Sequence, residues 1–99
     1  MLNRMEEDME EDNKKMLEFM ITVILADYDI MGLITYGNRP HDEYSPEART
    51  ILNYLESEDY DVYLDVLAEK VQYIFEVWFN QKPSIEPCIL IAREIMIMI

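Results

Sequence analysis

Three stretches of this chain carry side chains that can do chemistry. His41-Asp42-Glu43 sets the single imidazole of the sequence beside two carboxylates, the raw material of an acid–base pair or a metal site. A zinc site needs three or four ligands at set spacing, and no second His is present to extend this one. Nothing adjacent supplies a nucleophile, so the cluster reads as a solvated loop tip. Asp59-Tyr60-Asp61-Val62-Tyr63-Leu64-Asp65 alternates acids as a calcium loop does. It has no Gly at the sixth position, and Lys70 stands where a bidentate Glu belongs. It reads instead as an acid-enriched helix start, where the helix dipole favours negative charge. Cys88 needs a base to become a nucleophile, and His41 is the one candidate. Its spacing puts it on the inward face of a helix, as a small core residue. No catalytic residue, metal-ligand set or cofactor motif emerges, and the sequence points away from an enzyme.

What remains is charge. Asp and Glu number 21 against 8 Lys and Arg, a formal net charge of −13 on 99 residues. Such a surface repels nucleic acid, anionic membranes and phosphate-rich ligands, and steers toward basic proteins. Apolar residues make up 51%, enough for a real core rather than a disordered acidic tail. The length allows one domain over 1–99. Two Gly and four Pro supply too few turns for a many-stranded β fold. A lone Cys forms no internal disulfide and suits a reducing, cytoplasmic setting. The acidic N-terminus lacks the basic region of a signal peptide, and the apolar runs are too short to span a bilayer.

The elements that must position these residues are helical. Over 5–26, Met16, Leu17, Met20, Ile21, Ile24 and Leu25 recur at i, i+3, i+4 spacing. Six acids between Glu6 and Asp12 precede this stripe, and Glu10 and Glu11 can pair with Lys14 and Lys15. Residues 1–11 are expected to fray. Residues 28–44 hold Gly32, Gly37 and Pro40 and read as a long ordered loop, tucked onto the core by Leu33, Ile34 and Tyr36. Ser45 is placed as the N-cap of a second helix with Pro46 at its first position. Ala48, Ile51, Leu52 and Leu55 form its buried face, and Glu56-Ser57-Glu58-Asp59 ends it. A third helix over 61–79 buries Leu64, Leu67, Ala68, Val71, Ile74, Phe75 and Trp78. Ser84 caps the fourth, whose inward face is Ile85, Cys88, Ile89, Ala92, Ile95, Met96 and Ile99. The fold class predicted is all-α: a compact four-helix domain with a long loop between helices one and two. Leu90, Ile91, Ile97 and Met98 make the last helix apolar nearly all round, which predicts either a central helix or burial by a partner or in a homodimer.

Tyrosine interleaves with the acids. Tyr28, Tyr36, Tyr44, Tyr54, Tyr60, Tyr63 and Tyr73 lie in or near loops and acidic runs. Phenols give buried area and hydrogen bonds, and carboxylates meet Lys and Arg, so the mixture suits docking of a basic protein. Asp42, Glu43, Tyr44, Glu56, Glu58, Asp59, Tyr60 and Asp61 are the residues expected to bind it.

Asp29-Ile30-Met31-Gly32-Leu33, then Gly37 to Tyr44, then Glu47 and Ile51, resembles a widespread group of small, acidic, helical bacterial proteins, most of them filed as domains of unknown function. The group's pattern is roughly D-P-x-G-L followed by D-E-Y-x-x-E. A later helix of the group is similar to Leu67-Ala68 through Trp78-Phe79, and its I-A pair to Ile91-Ala92. The likeness covers Asp29 to the C-terminus and departs at Ile30, where the group has Pro. Some members look like immunity proteins of bacterial toxin systems. That association is all the resemblance implies about function, and it brings no active site.

The composition and the resemblance together predict a non-catalytic, cytoplasmic inhibitor that blocks a basic partner, an immunity protein or antitoxin against a nuclease-type toxin. The alternatives are a phage-encoded nucleic-acid mimic that inhibits a host nuclease or CRISPR effector, and a housekeeping helical subunit that oligomerises.

Overall fold

The computed structural model describes the backbone of residues 2–29 and 44–99, and the side chains of 12–29 and 44–99. Among the described residues the chain forms four helices and no strand. They are α1 (Leu2–Tyr28), α2 (Ser45–Ser57), α3 (Leu64–Phe79) and α4 (Ile85–Met98). Each packs on its neighbours in chain order, and α4 closes back onto α1. The expected order and conformation of the segment between α1 and α2 lie outside the described residues.

The core is built from one stripe of each helix. Ile21 and Leu25 of α1 meet Ala48, Ile51, Leu52 and Leu55 of α2. Leu67, Ala68, Val71, Ile74 and Phe75 of α3 meet Cys88, Ile91, Ala92 and Ile95 of α4. All are buried, and each large aliphatic contributes about 1.5–3 kcal/mol by leaving water. Two charged contacts at the surface show how α1 lies against α2. Arg49 Nε lies 3.0 Å from Glu18 Oε1, and Lys14 Nζ lies 2.9 Å from Glu56 Oε2. The chain number falls along α1 as it rises along α2, so the two helices run antiparallel.

Several expectations are corrected. α1 already begins at Leu2, so the acidic run is helical backbone. Met16 and Met20 face solvent, because the row Leu17, Ile21, Ile24, Leu25 and Tyr28 points inward instead. Tyr44, not Ser45, is the N-cap of α2: its carbonyl accepts from Ala48 N–H at 3.0 Å, and no side chain caps that end. α3 starts at Leu64, after three residues without regular structure. Trp78 is 52% exposed. The inward row of α3 advances by four residues from Val71 to Phe75 to Phe79, and Phe79 stacks on Phe75 with ring centres 5.9 Å apart, which leaves Trp78 at the rim. Asn80, in the left-handed conformation at φ 55°, closes α3, a position Asn tolerates better than most residues.

Glu47 is buried in the first turn of α2, and its Oε2 has no hydrogen-bond partner among the described residues. Burial pushes its carboxyl above the usual carboxylate range, against a weaker pull from its own backbone N–H. A carboxyl with a higher pKa folded than unfolded stabilises the fold at low pH, and that contribution is lost as pH rises through the folded value. Glu47→Gln is therefore expected to melt higher than wild type at neutral pH. The gap should close as pH falls below about 4. Melting curves across that range test it, and a pH-independent gap would rule out Glu47 as the titrating group.

Candidate functional site

The most acidic part of the described surface is the link from α2 to α3. Glu56, Glu58, Asp59, Asp61 and Asp65 fall within ten residues that contain no Lys or Arg. The backbone there is tightly determined. Glu58 N–H is shared between the carbonyls of Tyr54 and Leu55, each at 3.2 Å, and Tyr60 N–H reaches Leu55 O at 2.8 Å. Asp61 N–H then bonds Glu58 O at 3.0 Å. Between them Asp59 and Tyr60 both take the left-handed conformation, with φ of 52° and 61°. Left-handed backbone costs a non-glycine residue about 1–2 kcal/mol, and Asp bears it better than Tyr. Hydrogen bonds on both sides hold the strained pair. Val62 packs against the core and anchors the link, while Tyr63, extended, is the N-cap before α3.

This geometry turns the side chains outward. Glu58, Asp59, Asp61 and Asp65 are exposed, Tyr63 is 79% exposed and Tyr60 39%. No ion pair among the described residues neutralises those four carboxylates. The nearby bases are engaged elsewhere. Lys14 holds Glu56, Arg49 holds Glu18, and Lys70 sits 5.1 Å from the Tyr54 ring centre and 5.4 Å from that of Tyr73. Tyr60 also lines an open cleft of about 630 Å³ with Lys14, Leu17, Glu56 and Met98. Partial burial raises the Tyr60 phenol above its ordinary pKa, the Glu56 carboxylate adds to this and Lys14 opposes it. The hydroxyl therefore stays protonated at neutral pH. The turn thus presents carboxylate acceptors and two phenol rings on a fixed backbone, which suits Lys and Arg side chains.

Residues 21–99 match a family described as a domain of unknown function, DUF1871. The chain belongs to the DUF1871 family. The match opens at Ile21, the first fully buried residue among those of α1 whose side chains are described, and takes in the core contributed by all four helices together with the acidic turn. No curated protein and no solved structure matches the chain.

Within this DUF1871 chain the expected binding residues separate. Glu56, Glu58, Asp59, Tyr60 and Asp61 come together on the turn. Asp42 and Glu43, with His41, lie outside the described residues. Tyr44 is fully buried and has no face to offer a partner. Its hydroxyl donates to Asp29 Oδ1 at 2.5 Å, and its ring stands edge-on to Phe75 with centres 5.7 Å apart. It is a core residue. Tyr63 and Asp65 join the surface and were missing from the expected set. Their place inside the acidic run was the available signal, masked by reading the third helix from residue 61.

Cys88 is buried, and its thiol donates to Ser84 O at 3.4 Å. Burial pushes its pKa up to about 11, which suppresses the thiolate needed for reaction. An aromatic disulfide reagent at neutral pH is expected to label it only under denaturing conditions, read by absorbance. Rapid labelling of the native protein would contradict the packing.

Proposed function

We propose that this DUF1871 protein is a non-catalytic acidic binding protein that blocks a basic protein, most concretely an immunity protein or antitoxin facing a nuclease-type toxin. The observation that carries this reading is the turn between α2 and α3. No ion pair among the described residues neutralises its exposed carboxylates, and its backbone is held in a strained shape before any partner arrives. A pre-shaped acidic surface steers a basic protein into encounter and loses little entropy on docking. Carboxylates displayed this way stand in for phosphates against a nuclease groove. The resemblance of residues 29–47 to a group with immunity-like members supports the same choice.

The test is affinity capture from the native host with wild type and a turn variant in parallel. The variant carries Glu58→Gln, Asp59→Asn and Asp61→Asn. Asn at 59 keeps the tolerance for a left-handed backbone. Wild type should retain a basic protein at low salt and release it as salt rises, and the variant should fail to retain it. Capture that survives both high salt and the substitutions would overturn the reading.

A further inference from the structure

α1 carries two apolar rows. One is the core row. The other, Met16, Phe19, Met20 and Val23, repeats at i, i+3, i+4, i+7 on the outer side, the spacing a helix uses to face another helix. Met16 is 65% exposed, and Phe19 and Met20 are also exposed. α4 supplies a matching edge. Leu90 is exposed and Ile97 is 79% exposed, one turn on either side of Glu94. The two edges meet in a groove of about 330 Å³ whose lining includes Met20, Val23, Glu94, Ile97 and Met98. The sequence expectation placed Ile91 on this surface, but Ile91 is fully buried. Leu90 and Ile97 remain outside, and Met98 packs against the core at the edge of the groove.

We infer that this α1–α4 strip is the contact between two copies of the chain, related by a two-fold axis. Two features select a second copy over a basic partner. The first is charge. Glu94 is the one charged residue among the described residues that line the groove. In a chain of net charge −13, this is a surface where a copy can approach with few carboxylates in the contact. A partner chosen by charge has the acidic turn instead. The second is area. Side chains of this size and exposure offer on the order of 500 Å² of apolar surface, the upper end of what a monomer leaves uncovered. Paired with itself the strip buries about 1,000 Å² in total before any polar rim is added, the lower bound for a specific interface, and the rim extends it. A two-fold contact is self-complementary and closes at two copies.

The pairing has a salt dependence opposite to that of the acidic turn. Two strongly acidic copies repel, so screening should strengthen the dimer while it weakens any basic partner. Failure of one proposal leaves the other standing.

Sedimentation equilibrium of the full chain at about 1–100 μM is the test, because a dimer forms by mass action. The expected mass is twice the 11.9 kDa of one chain, with the dimer fraction rising between roughly 0.05 and 0.5 M salt. Ile97→Glu and, separately, Met16→Glu are each expected to raise the dissociation constant roughly 100-fold. Both positions are mainly solvent-exposed in the monomer, so far-UV helicity should be retained. Hydrogen exchange of the wild type gives a second measurement that needs no variant: protection over 16–23 and 90–98 should rise with protein concentration. A monomer throughout, a dimer that both variants leave intact, or a dimer that weakens with salt would each overturn the inference. So would a monomer that takes up a synthetic lysine–leucine amphipathic helix on this strip.

Discussion

Tyr44→Ala is expected to lower the unfolding free energy by about 3–5 kcal/mol, the range for losing a buried aromatic side chain. Three terms combine. The ring is fully buried and packs edge-on against Phe75, the largest side chain of the α3 row in the core. Its hydroxyl donates to Asp29 Oδ1, and removal takes that contact from a carboxylate at the end of α1. Asp29 itself sits at φ 43°, so the phenol also helps hold a left-handed residue where the chain leaves α1. Tyr44→Phe separates the terms. It keeps the ring and removes the hydrogen bond, and should cost about 1.5–3 kcal/mol. Urea unfolding followed by circular dichroism measures both. A Tyr44→Ala protein as stable as wild type would mean that the ring does not pack as described. A loss in the expected range also bears on function, because a residue of the D-E-Y stretch is then explained by packing and needs no partner.

Neutralising the acidic turn should have the second large effect, on binding rather than on folding. Glu58→Gln, Asp59→Asn and Asp61→Asn remove three exposed carboxylates and keep side-chain shape. Each charge facing a Lys or Arg near 4 Å is worth about 1 kcal/mol through water. The triple variant is therefore expected to lose roughly 100-fold in affinity for the captured partner, about 3 kcal/mol. Most of the loss should fall in the association rate and shrink as salt rises. Stability should stay within about 0.5 kcal/mol of wild type, since these side chains touch solvent and repel one another. Stopped-flow association at two salt concentrations, with melting curves alongside, tests both halves. An unchanged association rate would remove the turn from the interface.

Much of the fold was legible in the residues because helical periodicity reports burial directly. The α2 face of Ala48, Ile51, Leu52 and Leu55 and the α3 row from Leu67 to Phe75 are buried as their spacing predicts, because each follows one unbroken i, i+3, i+4 stripe. The reading failed where a helix carries more apolar surface than one stripe. α1 has two rows, and periodicity alone does not say which turns inward. Met16 and Met20 share one stripe by spacing with Ile21 and Leu25, yet only the latter pair is buried. α4 posed the same ambiguity, and Ile91 went to the wrong side.

The sequence by itself determined that this chain is helical, acidic and able to form a core, because propensity, charge and period are local properties of the residues. It also marked Glu56-Ser57-Glu58-Asp59 as a polar break between helices, but took the acids from Asp61 onward as the start of the next helix. Only the tertiary structure decided which members of that set are displayed. Tyr44 and Tyr60 are the same residue type and both border acids, but one is sealed against Phe75 and the other stands on a left-handed turn in reach of solvent. The difference lies in contacts between helices far apart in sequence, and in a backbone strain that the packing of Leu55 and Val62 on either side makes tolerable.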